Sequence, residues 1–114
     1  MDSTAEDWRW TKARAAAAPN EAGRASALLF RHGSMSLRWY VPPDPDPQGP
    51  HDQDELYLVA AGRARFAVAD AVHPAEPGDV LFVPAGVAHR FLEPSADFAV
   101  WVVFYGPAGG EVAG

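Results

Sequence analysis

Proline and glycine divide most of this chain into short segments. The 114 residues include eleven prolines and ten glycines, and from residue 24 onward the stretches between these turn formers have the composition of short β-strands. Seven such stretches are 25–31, 35–41, 55–60, 63–69, 80–83, 88–92 and 97–105. Strands at spacings of about 8–12 residues are typical of an antiparallel sandwich or barrel. The sequence therefore predicts an all-β fold of seven or eight strands.

The residues before the first strand have a different pattern. Residues 2–18 predict a helix, because Ser3 or Thr4 can cap its first turn and residues 15–18 are all alanine, the strongest helix former. Pro19 ends the helix, since proline lacks the backbone N–H that would continue it. We therefore expect a short N-terminal helix that docks on another surface.

A proline-rich stretch separates the second predicted strand from the third. Residues 42–50 contain five prolines in nine positions, so no strand or helix can cross them, and we expect a stiff, exposed loop. Asp44 and Asp46 in this loop lack the further ligands of a calcium motif, so we expect them to be solvated. The chain is thus divided into a helical appendage (1–23), a β-barrel (24–106) and a flexible glycine-rich tail (107–114).

The composition excludes several kinds of chemistry. The chain has no cysteine, which excludes disulfides, thiolate zinc sites, iron–sulfur clusters and a cysteine nucleophile. Its net charge is −6, and without a basic run it is a poor partner for nucleic acid. The longest apolar run, 98–105, is far shorter than the roughly 20 residues of a membrane helix. The acidic residues 1–7 do not resemble a signal peptide, so we expect a cytoplasmic protein with no membrane partner.

The remaining candidates for a catalytic or metal site are carboxylates and the four histidines. His32 falls in a predicted hairpin turn and His73 in a predicted loop, and both are expected to face solvent. Alternate residues of a strand share one face, which places His51 and Glu55 together if a strand begins near residue 50. Residues 78–89 predict a strand, a rigid turn and a returning strand that presents His89. Two imidazoles and one carboxylate suit a divalent transition metal such as Fe, Mn, Ni or Zn.

These two segments resemble the paired motifs of the cupin superfamily, G-x5-H-x-H-x3-E-x6-G and G-x5-P-x-G-x2-H-x3-N. The residues with matching spacing are His51, Glu55 and Gly62 in the first motif and Gly78, Pro84, Gly86 and His89 in the second. The resemblance covers residues 24–106. It implies a jelly-roll β-barrel, also called a double-stranded β-helix, with a metal inside the barrel.

The chain departs from the family pattern at two positions. Gly49 stands where the family has its first histidine, and Glu93 stands where it has the closing asparagine. The resemblance therefore implies a metal site of two histidines and one glutamate. Gln53 either substitutes as a weak amide ligand or hydrogen-bonds a water on the metal.

Other interpretations of the same residues stay open. Without a metal, His51 and His89 are two buried, hydrogen-bonded histidines of the barrel. Glu55 then needs a partner such as Arg38 or Arg90, or acts as a general base, because an unpaired buried carboxylate is costly.

Several further side chains have two open roles. Tyr57 either hydrogen-bonds a substrate at the mouth of the barrel or packs in its core. The aromatic residues expected mainly in the core are Trp39, Phe82, Phe91, Phe98, Trp101 and Phe104. The arginines that either bind an anionic substrate or face solvent are Arg38, Arg63, Arg65 and Arg90.

Two functions of different classes fit these features. The first is a divalent-metal enzyme acting on a small organic molecule, and the resemblance implies a dioxygenase-, isomerase- or cyclase-like activity with Glu55 and Tyr57 as candidate catalytic residues. The second is a non-catalytic module that binds or senses a small molecule, with or without metal. In both cases the ligand lies in the barrel. We also expect a homodimer that pairs through helix 2–18 and strand 25–30.

Overall fold

The computed structural model describes residues 8–112, which form one helix and eight strands. The helix is α1 (Lys12–Ala17). The strands are β1 (Ser26–His32), β2 (Met35–Tyr40), β3 (Asp54–Ala61), β4 (Ala64–Val68), β5 (Ala71–Ala75), β6 (Val80–Val83), β7 (His89–Leu92) and β8 (Ala99–Tyr105). The predicted all-β jelly-roll class with one short helix is confirmed. No helix within residues 8–112 is long and apolar enough to cross a membrane.

The strands form two antiparallel sheets that enclose the main core. The larger sheet has the order β1-β2-β8-β3-β6, and the smaller one has the order β5-β4-β7. Tyr57 on β3 and Val100 on β8 pack from the larger sheet against Phe66 on β4 and Phe91 on β7. All four side chains are almost completely buried, so the hydrophobic effect holds the two sheets face to face.

Strand β3 carries the alternation that the sequence predicts, but it begins later than expected. Glu55, Tyr57 and Val59 are buried, whereas Leu58 is exposed on the opposite face. The strand starts at Asp54, so the period of two does not extend back through residues 51–53. The alternation therefore applies to Glu55 but to neither His51 nor Gln53, which both precede the strand.

The helix is shorter than the predicted span of 2–18. Thr11 has an extended backbone and its hydroxyl accepts a hydrogen bond from Arg14 N at 3.1 Å, so this residue is the N-cap and residues 9–11 are not helical. The predicted caps, Ser3 and Thr4, lie outside the described residues. Ala15 is fully buried in an apolar cluster with Ala27 and Trp39, so α1 covers the outer face of the larger sheet near β1 and β2.

Strand β5 was missed by the sequence analysis. His73 lies on this strand rather than in a loop, and it is exposed as expected. The neighbouring Pro74 makes the segment look like a loop in the sequence. Proline is tolerated at this position because β5 is an edge strand of the smaller sheet.

The prediction that Phe82 lies in the core was wrong. Phe82 on β6 is paired with Leu56 of β3 and is 51 % exposed. Its side chain lies on the outer face of the larger sheet, at the end that α1 does not cover. Strand β6 is an edge strand, so residues on that face have few neighbours to bury them.

Candidate metal centre

Three side chains predicted as metal ligands come together between the two sheets. His51 lies in the segment before β3, Glu55 lies on β3 of the larger sheet, and His89 is the first residue of β7 in the smaller sheet. One potential ligand atom from each lies within 4.8 Å of the others. Glu55 and His89 are buried and His51 is half-buried. The fold therefore brings two imidazoles and one carboxylate together from segments far apart in the sequence.

Hydrogen bonds across the chain hold these segments in place. The carbonyl of His51 accepts a hydrogen bond from Gly86 N at 2.8 Å, and the Asp54 carboxylate accepts one from Ala85 N at 2.9 Å. Asp54 also accepts from Glu111 N at 2.8 Å, and these backbone donors hold the pKa of Asp54 below its usual value. The turn before β7 is thus fixed against the start of β3, which sets the position of His89.

The protonation of His89 follows from its backbone contact. Its Nδ1 lies 2.9 Å from the carbonyl oxygen of Val87, and since a carbonyl only accepts, Nδ1 must carry a proton. In the neutral imidazole, Nε2 then has a lone pair. This Nε2 lies 3.0 Å from Oε1 of Glu55, yet among the described residues neither atom has a partner with acceptable hydrogen-bond geometry.

The two imidazoles experience different electrostatic environments. Burial lowers the pKa of His51, and the attraction of Glu55 offsets this only partly. Burial also disfavours the charged form of His89, but contacts with the Glu55 carboxylate and the Val87 carbonyl outweigh it, so the pKa of His89 is raised. At neutral pH His51 is therefore a neutral imidazole, the form that binds metals.

The chemistry of this cluster fits a divalent cation. A buried carboxylate oxygen and a buried imidazole nitrogen face each other as two acceptors, an arrangement that is unfavourable unless a proton or a cation lies between them. A metal ion would satisfy both atoms, and His51 is close enough to supply a third donor. Three protein donors leave coordination positions open for a substrate or water.

Gln53, the predicted weak ligand, lies elsewhere. Its Nε2 donates to the carbonyls of Ser34 and Gly106, each at 2.9 Å, so it joins the β1–β2 turn to the end of β8. Gln53 precedes the first residue of β3, which is why its side chain does not follow the alternation of Glu55.

The two positions that depart from the cupin motifs have different surroundings. Glu93 is exposed and pairs with Arg65 on the surface. Gly49 lines a cavity of about 310 Å³ together with His89, and no described atom beyond its chain neighbours lies within 4 Å of the point where a Cβ would stand. The position of the missing histidine is therefore open space near the cluster.

A cavity of about 220 Å³ adjoins the cluster and includes His51, Glu55 and Tyr57 in its wall. The Tyr57 ring is fully buried, and its hydroxyl donates to Oε1 of Gln48 at 2.8 Å. Burial raises the pKa of Tyr57 well above its usual value. Both roles considered for Tyr57 are therefore compatible with its position, because the ring packs in the core while the hydroxyl end reaches the cavity.

The proline-rich loop contributes residues that the sequence analysis did not assign to the site. Asp46 was predicted to be solvated, but it is only 4 % exposed. Its carboxylate accepts hydrogen bonds from the Tyr40 hydroxyl, from Gln48 Nε2 at 2.6 Å and from Phe91 N at 2.9 Å. Prolines leave few backbone donors in this loop, so Asp46 anchors it through side-chain contacts. Gln48, held by Asp46, in turn orients Tyr57.

The arginines considered as partners for Glu55 are not its partners. Arg90 is exposed. Arg38 is 4 % exposed, and its Nη1 donates to Glu21 at 2.8 Å, a residue that lies between α1 and β1. Arg63 and Arg65 pair with surface glutamates on the outside of the fold.

Comparisons with known proteins agree with this fold. The cupin domain family model, Cupin_2, matches residues 37–105, more than half of the chain. The chain is 38 % identical over 100 residues to an uncharacterised protein of Streptomyces coelicolor, covering 88 % of this chain and 95 % of that one.

Two solved structures show the same architecture at low sequence identity. A cupin 2 conserved barrel domain protein from Salinispora arenicola superposes with a TM-score of 0.60 at 21 % identity, covering 86 % of this chain and 87 % of that one. A predicted oxalate decarboxylase from Thermotoga maritima gives a TM-score of 0.54 at 20 % identity, covering 70 % and 77 %. Because the family model matches more than half of the chain, including both motif segments, the chain belongs to the cupin family.

Proposed function

We propose that His51, Glu55 and His89 bind a divalent transition metal, and that the chain is a metal-dependent enzyme acting on a small organic molecule. The observation that carries this proposal is the 3.0 Å approach of His89 Nε2 to Glu55 Oε1 with no hydrogen bond for either buried atom in the described residues. Fe, Mn, Ni and Zn all accept such a set of nitrogen and oxygen donors.

The residues of the chain have distinct roles in this proposal. When bound, a metal supplies Lewis acidity to a substrate oxygen, or in the case of iron a route to dioxygen chemistry. Glu55 and the two imidazoles hold it, and the Val87 carbonyl fixes the tautomer of His89. Because the Tyr57 hydroxyl donates a hydrogen bond to Gln48, its oxygen can accept one from a substrate in the adjoining cavity.

A non-catalytic binding module is the second candidate. The raised pKa of His89 favours it, because a protonated imidazole beside the Glu55 carboxylate would satisfy both groups without a metal. The site also has one histidine fewer than the family motif, since Gly49 stands at that position. In this alternative the cavity binds a small molecule for sensing or storage.

Metal analysis tests the proposed metal site. We would measure metals by inductively coupled plasma mass spectrometry in protein purified without added metal, in His89→Ala, and in His73→Ala as a control, because His73 is exposed on β5. The proposal expects about one equivalent in the parent and in His73→Ala, and loss in His89→Ala with an unchanged circular dichroism spectrum. Less than ~0.1 equivalent of any transition metal in the parent would remove the metal-dependent function.

Catalysis needs a separate measurement. Protein loaded with iron would be tested for dioxygen consumption with small diketones, thiols and phenols, and protein loaded with each other metal would be tested for isomerisation or cyclisation by NMR. Turnover that is absent in His89→Ala supports the enzyme. A metal-loaded protein that shows no turnover with any of these compounds supports the binding module instead.

We also propose that the chain forms a homodimer. Strand β1 is an edge of the larger sheet, and unpaired edges favour pairing with another strand. Trp8 is 79 % exposed, a large apolar surface that a partner subunit would cover. Size-exclusion chromatography with light scattering at micromolar concentration tests the proposal, and a monomer under those conditions would contradict it.

A further inference from the structure

Arginine side chains line the cavity beside the candidate metal centre. Arg24 and Arg38 line the cavity of about 220 Å³, and the same two residues with Arg31 line a neighbouring cavity of about 310 Å³. His51 belongs to the walls of both. The chain as a whole has a net charge of −6, so three of its eight arginines stand close to one histidine of the candidate centre.

The guanidinium of Arg38 is buried and only partly satisfied. Its Nη1 donates to Glu21 at 2.8 Å and lies 3.3 Å from the Ser26 hydroxyl. Its Nε has no hydrogen-bond partner among residues 8–112. A buried N–H donor without an acceptor is unfavourable, and this cost is removed when an acceptor group enters the cavity beside it.

The carboxylates near this mouth do not balance its positive charge. Glu21 is shared, because its Oε1 lies 2.8 Å from Arg38 Nη1 and 3.7 Å from Arg24 Nε. Glu55, the acidic residue in the wall of the first cavity, faces His89 rather than an arginine. Asp52 lines the neighbouring cavity together with Arg31. Glu21 and Asp52 thus stand against three guanidiniums, which leaves one positive charge over. A divalent metal at the candidate centre would add to that charge.

We propose that this cavity binds a small organic carboxylate whose anionic group is held by Arg38 and Arg24 while the rest of the molecule faces the metal centre. The substrate class thus deepens the proposed function and rests on it. A guanidinium offers a planar fork of N–H donors that matches a carboxylate. A volume of about 220 Å³ is below the usual range of roughly 300–1,000 Å³ for drug-sized ligands, and Val102 and Phe104 in the wall suit a short carbon chain.

Binding of malonate, measured by isothermal titration calorimetry at low and constant ionic strength, tests this proposal. Malonamide is the neutral probe of equal size, and inorganic phosphate is the competing anion. The full chain would be used both metal-loaded and after removal of metal with a chelator. In the metal-free form the contribution of the arginines is measured apart from any coordination by the metal.

Two variants and one control make the test specific. Arg24→Gln lies at the exposed mouth, with 55 % of its side chain accessible, so it is expected to fold, and we expect malonate to bind about tenfold more weakly. Arg38→Gln is expected to weaken binding by about 10- to 100-fold. Arg65→Gln removes the same charge on the surface, where Arg65 pairs with Glu93, and should leave the affinity unchanged.

The outcomes separate this proposal from the proposed function. Weaker malonate binding in Arg24→Gln but not in Arg65→Gln, with no binding of malonamide, supports the carboxylate site. Equal affinity in the two variants, equal binding of malonamide, tighter binding of phosphate, or no malonate binding to either form overturns it, even if the protein takes up metal. A protein that binds malonate through Arg24 but takes up no metal overturns the metal-dependent function and retains the anion site.

Discussion

Replacing Glu55 by glutamine should stabilise the metal-free protein at alkaline pH. In the parent, Glu55 Oε1 and His89 Nε2 are two acceptors 3.0 Å apart, because the single proton of the neutral His89 ring is on Nδ1, which donates a hydrogen bond to the Val87 carbonyl. The amide nitrogen of a glutamine side chain can donate to Nε2 over the same distance. The substitution therefore replaces an unsatisfied buried contact by a hydrogen bond, and we expect a gain of about 1–3 kcal/mol in the free energy of unfolding.

The sign of this effect should reverse in acid. The pKa of His89 is raised in the folded protein, so its attraction to the Glu55 carboxylate stabilises the fold below the ordinary value of 6.5 and is lost as the pH rises through the raised pKa. Below that window, Glu55→Gln removes a carboxylate from a protonated imidazole. We therefore expect the variant to be less stable than the parent near pH 5 and more stable near pH 9.

Urea unfolding with a chelator present, at several pH values, measures this crossover. Glu93→Gln is the matched control, because Glu93 is exposed and the charge change is identical. A variant that is less stable than the parent at both ends of the pH range would refute the assignment of a lone pair to Nε2. With metal added, the parent should gain stability by mass action and Glu55→Gln should not.

Two further substitutions test the surroundings of the centre. Gly49→His should raise the affinity for metal by about tenfold or more, because Gly49 shares a cavity with His89 and has open space at its Cβ. Competition with a fluorescent chelator measures this affinity. An unchanged affinity would show that position 49 does not reach the centre. Asp46→Ala should lower the free energy of unfolding by roughly 3–5 kcal/mol, because several buried donors lose their acceptor. The control is Asp44→Ala, an exposed neighbour, and equal losses in the two variants would contradict the buried role of Asp46.

Local rules explain how the sequence predicts the positions of Glu55 and His89 in the candidate cluster. Glu55 faces inward with Tyr57, as a period of two requires once β3 has begun. His89 follows a turn whose proline and glycine are visible in the sequence. Gln53 fails the same rule only because the strand starts at the next residue, and the first residue of a strand is set by its pairing with other strands.

The residues that the sequence analysis misjudged depend on distant partners. In the sequence, Asp46 is indistinguishable from a solvated acidic loop residue. Its burial depends on Phe91 N, a hydrogen-bond donor 45 positions away in the chain. Arg38 is buried because Glu21 meets it from the segment before β1. Phe82 is exposed because α1 covers a different part of the outer face. None of these contacts leaves a periodic pattern in the sequence.

The core between the sheets has an apolar end and a polar end, and Tyr57 lies where they meet. Its ring packs against Phe66 and Phe91 at centroid distances of 5.7 and 4.9 Å, while its hydroxyl contacts Gln48. Burial of apolar surface at the first end holds the sheets together. The stability gained there offsets the cost of the unsatisfied polar atoms of Glu55 and His89 at the other end. An unsatisfied acceptor pair is a cost to stability, and a fold can retain it when the same atoms are needed for a ligand. For that reason we assign the proposed function to the polar end of the core rather than to its aromatic end.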